Sequence, residues 1–185
     1  MSLRNTSTHW GLVARLLHGL FFLLILGAWI AVDLHEDFPK GSAERAQWML
    51  LHKSLGATVF FLVWVRLFWR LGGDVPAPLP APRWQQWSSA AVHGALYLVM
   101  IAMPLSGLLW SQFGDRPVSW FGLFEIPVFL TPDKALAGQL GALHKEVLWP
   151  LLLTLIAVHA AAALWHHFVL KDATLKRMFF PRRTS

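Results

Sequence analysis

The sequence predicts an all-α protein, a polytopic membrane four-helix bundle forming one domain over residues 1–185. Three observations predict it. The chain is 56% hydrophobic and only 14% charged, with a mean hydropathy of +0.49, whereas soluble domains run near 45–50% apolar and 25% charged. Its apolar residues gather into four stretches, about 11–32, 48–68, 90–110 and 147–168, each close to the ~20 residues a helix needs to cross a bilayer. The basic residues sit just outside those stretches, so the formal charge of +6 is the positive-inside signature of a membrane protein and not that of a nucleic-acid binder.

The first stretch has no small-residue cleavage site after it, so it is expected to stay as a transmembrane helix and not to be removed as a signal peptide. Arg4 and Arg15 flank it. Arg66, Arg70 and Arg83 flank the connection between the second and third stretches, against Asp74. Lys171, Lys176, Arg177, Arg182 and Arg183 follow the fourth, against Asp172. The other two connections carry mixed charges, which places both termini in the cytoplasm. Gly72-Gly73 and the alternating Pro76, Pro78, Pro80 and Pro82 make the inner connection a stiff extended linker. Pro104 is expected to kink the third helix and Pro150 to bend the fourth near its outer end. The outer loop 111–140 is too long for a simple connection; its apolar, aromatic centre, VSWFGLFEIPVFL, is expected to cap the bundle at the interface. Most of the eleven tryptophans fall near span ends, as an aromatic belt does.

The chain has no cysteine, which excludes disulfides, thiolate metal sites, iron–sulfur clusters and c-type haem attachment. It has nine histidines, and an imidazole inside hydrocarbon is expensive unless it pairs or binds something. His144 and His159 are fifteen residues apart on the fourth stretch. At 1.5 Å per residue that is roughly 22 Å, and at about 100° per residue the two stay within roughly 60° of one another. One helix thus offers a nitrogen near each membrane face. His52 opens the second stretch at the depth of His144. His18 and His93 lie at the inner depth of His159, and sequence alone does not choose between them. His166 and His167 end the fourth stretch. Zinc or copper would gather three or four ligands at one depth, whereas two per depth suits an axial pair on a b-type haem. Gly56, Gly141, Ala162 and Ala163 are small residues that let a flat ring approach. Lys53 and Lys145, each directly after an outer histidine, offer propionate partners or a positive rim. Arg66 and Arg70 are expected to snorkel towards headgroups.

At this point the residues resemble a known family. HAAAALWHHFVLKDATLKRMFFP from His159, LLHKSLGATVFFLVWVRLFWRL from Leu50 and HGALYLVMIAMPLSG from His93 resemble the prokaryotic cytochrome b561 family, four-helix di-haem proteins of the bacterial inner membrane. The resemblance covers nearly the whole chain. It implies ligands from the first, second and fourth helices, hence two haem b groups, held by His18 with His159 and by His52 with His144. The His144–His159 interval is one residue longer than the family pattern implies, an excess that a local bulge or the Pro150 bend would absorb.

The activity implied by the resemblance is superoxide oxidation coupled to ubiquinone reduction. Superoxide would be attracted to a rim containing Lys53 and Lys145, while the resemblance places His166 near the quinone; His93 is a weaker candidate for that pocket. Two haems would collect the two electrons that quinone needs, and His166 would donate a proton. The alternative is an electron-transfer subunit relaying between the quinone pool and a periplasmic redox protein docked on loop 111–140. Membrane lipid is a partner on either reading.

Overall fold

The computed structural model describes residues 2–179; Arg182 and Arg183 of the basic tail, and Pro181 at the end of the last family-like block, lie outside the described residues. Four helical stretches are long and apolar enough to cross a membrane: α1 (Leu12–Asp37), α2 (Ala43–Leu71), α3 (Arg83–Phe113) and a composite Lys134–Phe168. The composite consists of α4 (Lys134–Ala142), a π-helical segment (Leu143–Leu148) and α5 (Trp149–Phe168), and a short α6 (Thr174–Phe179) follows. Each outruns its expected span. The third begins seven residues earlier than hydropathy marks, at Arg83, because hydropathy reports only the turns that sit in lipid. The polar first turns of α3 lie beyond that, capped where the Pro82 carbonyl accepts from Gln85 and Gln86 N–H. Between 11 and 17% of each apolar window is buried. Leu16, Phe61, Phe68 and Leu98 are each more than 60% exposed; in a bilayer such faces meet acyl chains, and the backbone is satisfied within each helix.

Contacts divide the chain into two compact units, one of residues 1–20, 64–99 and 151–185, the other of 21–63 and 100–150. In the second unit, the turn between α1 and α2 is closed by Arg45, whose guanidinium donates to Phe38 O and to Glu36. The Ser42 hydroxyl accepts from Arg45 N–H in the first turn of α2. The loop between α3 and α4 contains an antiparallel hairpin, β1 (Val118–Trp120) and β2 (Phe124–Ile126), paired Val118 to Ile126 and Trp120 to Phe124. Its turn needs two left-handed residues, and Phe121 (φ 52°) and Gly122 (φ 73°) supply them. The hairpin is docked on α2: buried Ser54 accepts from Phe121 N–H, and Trp120 Nε1 donates to Thr58. Fully buried Gln112 of α3 donates to Pro127 O and accepts from Phe129 N–H. Asp133 then caps α4, accepting from Leu136 N–H.

In the first unit the proline-rich linker has no helix or strand over residues 74–82, and it is tied down. Buried Asn5 donates to Asp74 O and accepts from Gly11 N–H; Ala77 N–H donates to Ser7 O. Two arginines complete the lacing. Arg15 donates to Met178 O and Phe179 O, and Arg177 donates to Thr8 O and Ala77 O.

Ser54→Ala tests the hairpin docking. It leaves the Phe121 N–H and the nearby Ser119 carbonyl without their partner, which costs about 1–3 kcal/mol for a buried group. The thermal midpoint in detergent should fall; an unchanged midpoint would show that the hairpin is held by its aromatic contacts alone.

Candidate functional site

In the second unit His52 and His144 face one another, with ring centres 6.2 Å apart and planes at 83°. Each ring is oriented from behind. His52 Nδ1 lies 2.8 Å from Ala28 O, and His144 Nδ1 lies 2.9 Å from both Met103 O and Ser106 Oγ. A carbonyl can only accept, so both Nδ1 atoms carry protons and both Nε2 atoms are left with a lone pair for a ligand. Two metal–nitrogen bonds of about 2.0 Å, with each ring centre about 1.2 Å further out, put opposed imidazole centres about 6.4 Å apart. The observed separation fits.

The placement of His144 depends on two features. The first is the π-helical segment Leu143–Leu148, which encloses His144. A π turn carries one residue more than an α turn, so the extra residue of the His144–His159 interval is taken up there, ahead of Pro150. The second is Gly107 of α3: a Cβ there would stand 3.0 Å from His144 Cε1. The space at Gly141, in contrast, is filled by Trp110, 2.8 Å from where a Cβ would be. Gly141 therefore makes room for an indole and not for a planar ligand, whereas Gly56 faces open space.

In the first unit His18 and His159 have ring centres 6.0 Å apart at 67°, again the spacing of an axial pair. The rival, His93, lies 5.1 Å from His159, too close for a metal between them, and its Nδ1 is 2.7 Å from Ser89 O one turn back in α3. Arg66 does not snorkel outward. Its Nε donates to the hydroxyl of Tyr97 at 3.1 Å, and its Nη2 lies 3.3 Å from His18 Nδ1; the tyrosine hydroxyl draws the guanidinium back from the headgroups. Arg70 lies over Trp10. Among the described residues no group of three or more His, Cys, Asp or Glu side chains gathers that could hold a metal ion.

Sequence patterns did not reveal two clusters, because both form between residues distant along the chain. At the second-unit site, Arg116 and Lys145 both lie over the Trp110 ring, at 5.2 and 5.5 Å, and Trp110 lies 6.1 Å from His144. Lys145 and Arg116 are exposed and Lys53 half-buried, and among the described residues none of the three forms an ion pair. In the first unit, Gln85 Nε2 donates to His166 Nε2 at 2.8 Å, and His166 Nδ1 donates to Asp172. Lys171 adopts a left-handed backbone (φ 54°) that folds the chain back, so that Asp172 N–H meets His166 O as well. Both ring nitrogens of His166 are engaged. His167 Nδ1 is buried without a hydrogen-bond partner among the described residues. A cavity of about 780 Å³ lies between the N-terminal segment and the end of α2, lined by residues including Arg4, Asn5, Phe68 and Trp69; neither His166 nor His93 lines it.

The sequence pattern described as Prokaryotic cytochrome b561 matches residues 9–181. The chain belongs to the prokaryotic cytochrome b561 family. It is 35% identical to cytochrome b561 homolog 2 of Escherichia coli, over 96% of this chain and 95% of that one. Cytochrome b561 homolog 1 of the same organism is 32% identical over 90% of this chain and 94% of its own length. The probable superoxide oxidase CybB of Yersinia pestis is 35% identical over 90% and 93%. Family membership makes this a membrane electron-transfer protein using b-type haem, a multi-pass protein of the bacterial inner membrane.

Gly107→Ala should push the His144 ring by a few tenths of an ångström, lowering the haem-to-protein ratio measured on purified protein, whereas Gly94→Ala, which faces open space, should leave it unchanged. Equal ratios in both variants would remove Gly107 from the site.

Asp172 yields a pH prediction. Burial opposes its ionisation, but hydrogen bonds from His166 and Thr174 outweigh it and hold the carboxyl below the usual range. A depressed folded-state pKa contributes stability above the ordinary value of about 3.9, and that contribution is lost as pH falls through the folded value. Asp172→Asn should lower the thermal midpoint at pH 7, and the difference from the parent should shrink below about pH 4. A pH-independent difference would contradict the His166 pairing.

Proposed function

We propose that this protein oxidises superoxide at one membrane face and reduces ubiquinone at the other. Two superoxide anions each give up one electron and leave as dioxygen; one ubiquinone takes both electrons and two protons and leaves as ubiquinol. The observation that carries the reading is the occurrence of two imidazole pairs, His52/His144 and His18/His159, each at the spacing of an axial pair. Haem b supplies reversible one-electron storage at each pair. We take the His52/His144 end as periplasmic and both termini as cytoplasmic, on the distribution of flanking arginines and lysines.

The chain's residues have distinct tasks in this scheme. Lys53, Lys145 and Arg116 form a cationic rim beside Trp110 and His144, which attracts a small anion and raises its encounter rate. Ala28 O, Met103 O and Ser106 fix the rotation of the two outer rings, and Gly107 leaves room for one of them. At the other end His166, oriented by Asp172, is the proton carrier for the quinone; Gln85 must release Nε2 for that nitrogen to take up a proton and pass it to a quinone oxygen. His93, packed on His159, is a secondary candidate for the same pocket. The similarity to the probable superoxide oxidase of Yersinia pestis supports the choice of donor.

A second reading draws on the hairpin, which exposes Leu123 (76%) and Phe124 (56%): these would seat a periplasmic redox protein feeding electrons to the same site.

Purified protein in a superoxide flux separates the two. Superoxide should reduce the haem, and added ubiquinone should reoxidise it with ubiquinol as product. Lys53→Gln/Arg116→Gln/Lys145→Gln should slow that reduction severalfold at low ionic strength, flatten its salt dependence and keep the haem content. Haem that stays oxidised under superoxide yet is reduced by a co-purifying redox protein would establish the second reading.

A further inference from the structure

We propose that Arg66, held by Tyr97, is a positioning residue that raises the reduction potential at the His18/His159 pair above that at His52/His144, and so sets the direction of electron flow between them. This rests on the reading that each pair holds a haem.

The two pairs differ in what stands behind their rings. Both rings of the outer pair back onto carbonyl oxygens, Ala28 O and Met103 O. A ligating imidazole whose Nδ1–H donates to a carbonyl gains imidazolate character and gives more electron density to the iron. That stabilises the oxidised state and lowers the potential. Among the described residues His18 has no such carbonyl partner: its Nδ1 faces the guanidinium of Arg66. Ligation through Nε2 places the proton on Nδ1, which then cannot accept from Arg66. The guanidinium remains on Tyr97, its Nε bonded to the phenol oxygen and its carbon 5.8 Å from the ring centre, as a fixed positive charge beside the pair. Reduction adds one negative charge at the iron, so a nearby cation favours the reduced state. Both differences act in the same direction.

Arg66 owes its position to the only tyrosine in the sequence. It is half-buried within α2, where an interaction of charges is strong. The cations near the outer pair are less effective per charge: Arg116 and Lys145 are exposed, where water and salt screen them. Electrons arriving at His52/His144 therefore move on to His18/His159 and not back.

Potentiometric titration of the purified haem-loaded protein, following the visible bands, tests this. The parent should show two one-electron waves, and His52→Ala should retain the higher. Arg66→Gln should keep both haems and shift the higher wave down, by about tenfold in the reduced-to-oxidised ratio, equal to 59 mV for one electron; the lower wave should not move. Arg66→Lys should restore most of the shift. Tyr97→Phe, which leaves the charge but removes its anchor, should produce a smaller shift in the same direction, and provides the reading should Arg66→Gln lose a haem. An unmoved higher wave in Arg66→Gln, or in Tyr97→Phe should that variant be needed, overturns the proposal and leaves the haem-binding reading standing. Parent protein without haem overturns both.

Discussion

Everything at this protein's centre follows from the cost of placing an imidazole in hydrocarbon. An unpartnered ring nitrogen there is expensive, so an imidazole in hydrocarbon gains from having both nitrogens engaged. The chain does this at His52 and His144 by giving Nδ1 a backbone oxygen and leaving Nε2 to a partner on the opposite side. Helix packing must then supply oxygens that helices normally keep for themselves. Met103 O comes from the turn just before Pro104, and Ser106 shares it. The missing N–H of Pro104 belongs to Met100 O one turn back; Met103 O can meet His144 and Ser106 because a carbonyl oxygen has two lone pairs.

The π-helical segment solves a related problem of phase. On an ideal α-helix two ligands fifteen residues apart are offset by roughly 60° around the axis. Adding the surplus in a single wide turn around His144 confines the correction to six residues. The flanking α4 and α5 then keep regular hydrogen bonding. Gly107 and Gly141 make the neighbouring surfaces fit the widened turn, one against His144 and the other against Trp110.

Much of this was legible in the sequence. The four spans are read from hydropathy because lipid selects apolar residues along a fixed length. The depth of each histidine follows from helix rise, so the candidate pairs come from counting residues. The choice of His18 over His93 is not legible in that way: both lie at the same depth, and only the ring separations, 6.0 against 5.1 Å, distinguish them. The cationic cluster on Trp110 and the Gln85–His166–Asp172 chain were also hidden. Each depends on residues brought together across dozens of positions, in the second case with a left-handed turn at Lys171 that local propensity would not select. The inward turn of Arg66 is not legible either: a basic residue at a span end ordinarily reaches for headgroups, and the signal against that, one tyrosine thirty-one positions away, is not periodic.

The arginine lacing of the first unit has a consequence for how the protein is made. Arg15 belongs to the first of the four spanning helices to be made, yet its acceptors are Met178 O and Phe179 O, which follow the fourth. Arg177 reaches back to Thr8 O and Ala77 O. The segment before α1 and the proline-rich linker thus wait, unfastened, while all four spans are synthesised. The clasp closes only when residues 177–179 have been released, so a chain truncated before residue 177 has its membrane spans in place but lacks the contacts that join the segment before the first to the segment after the fourth.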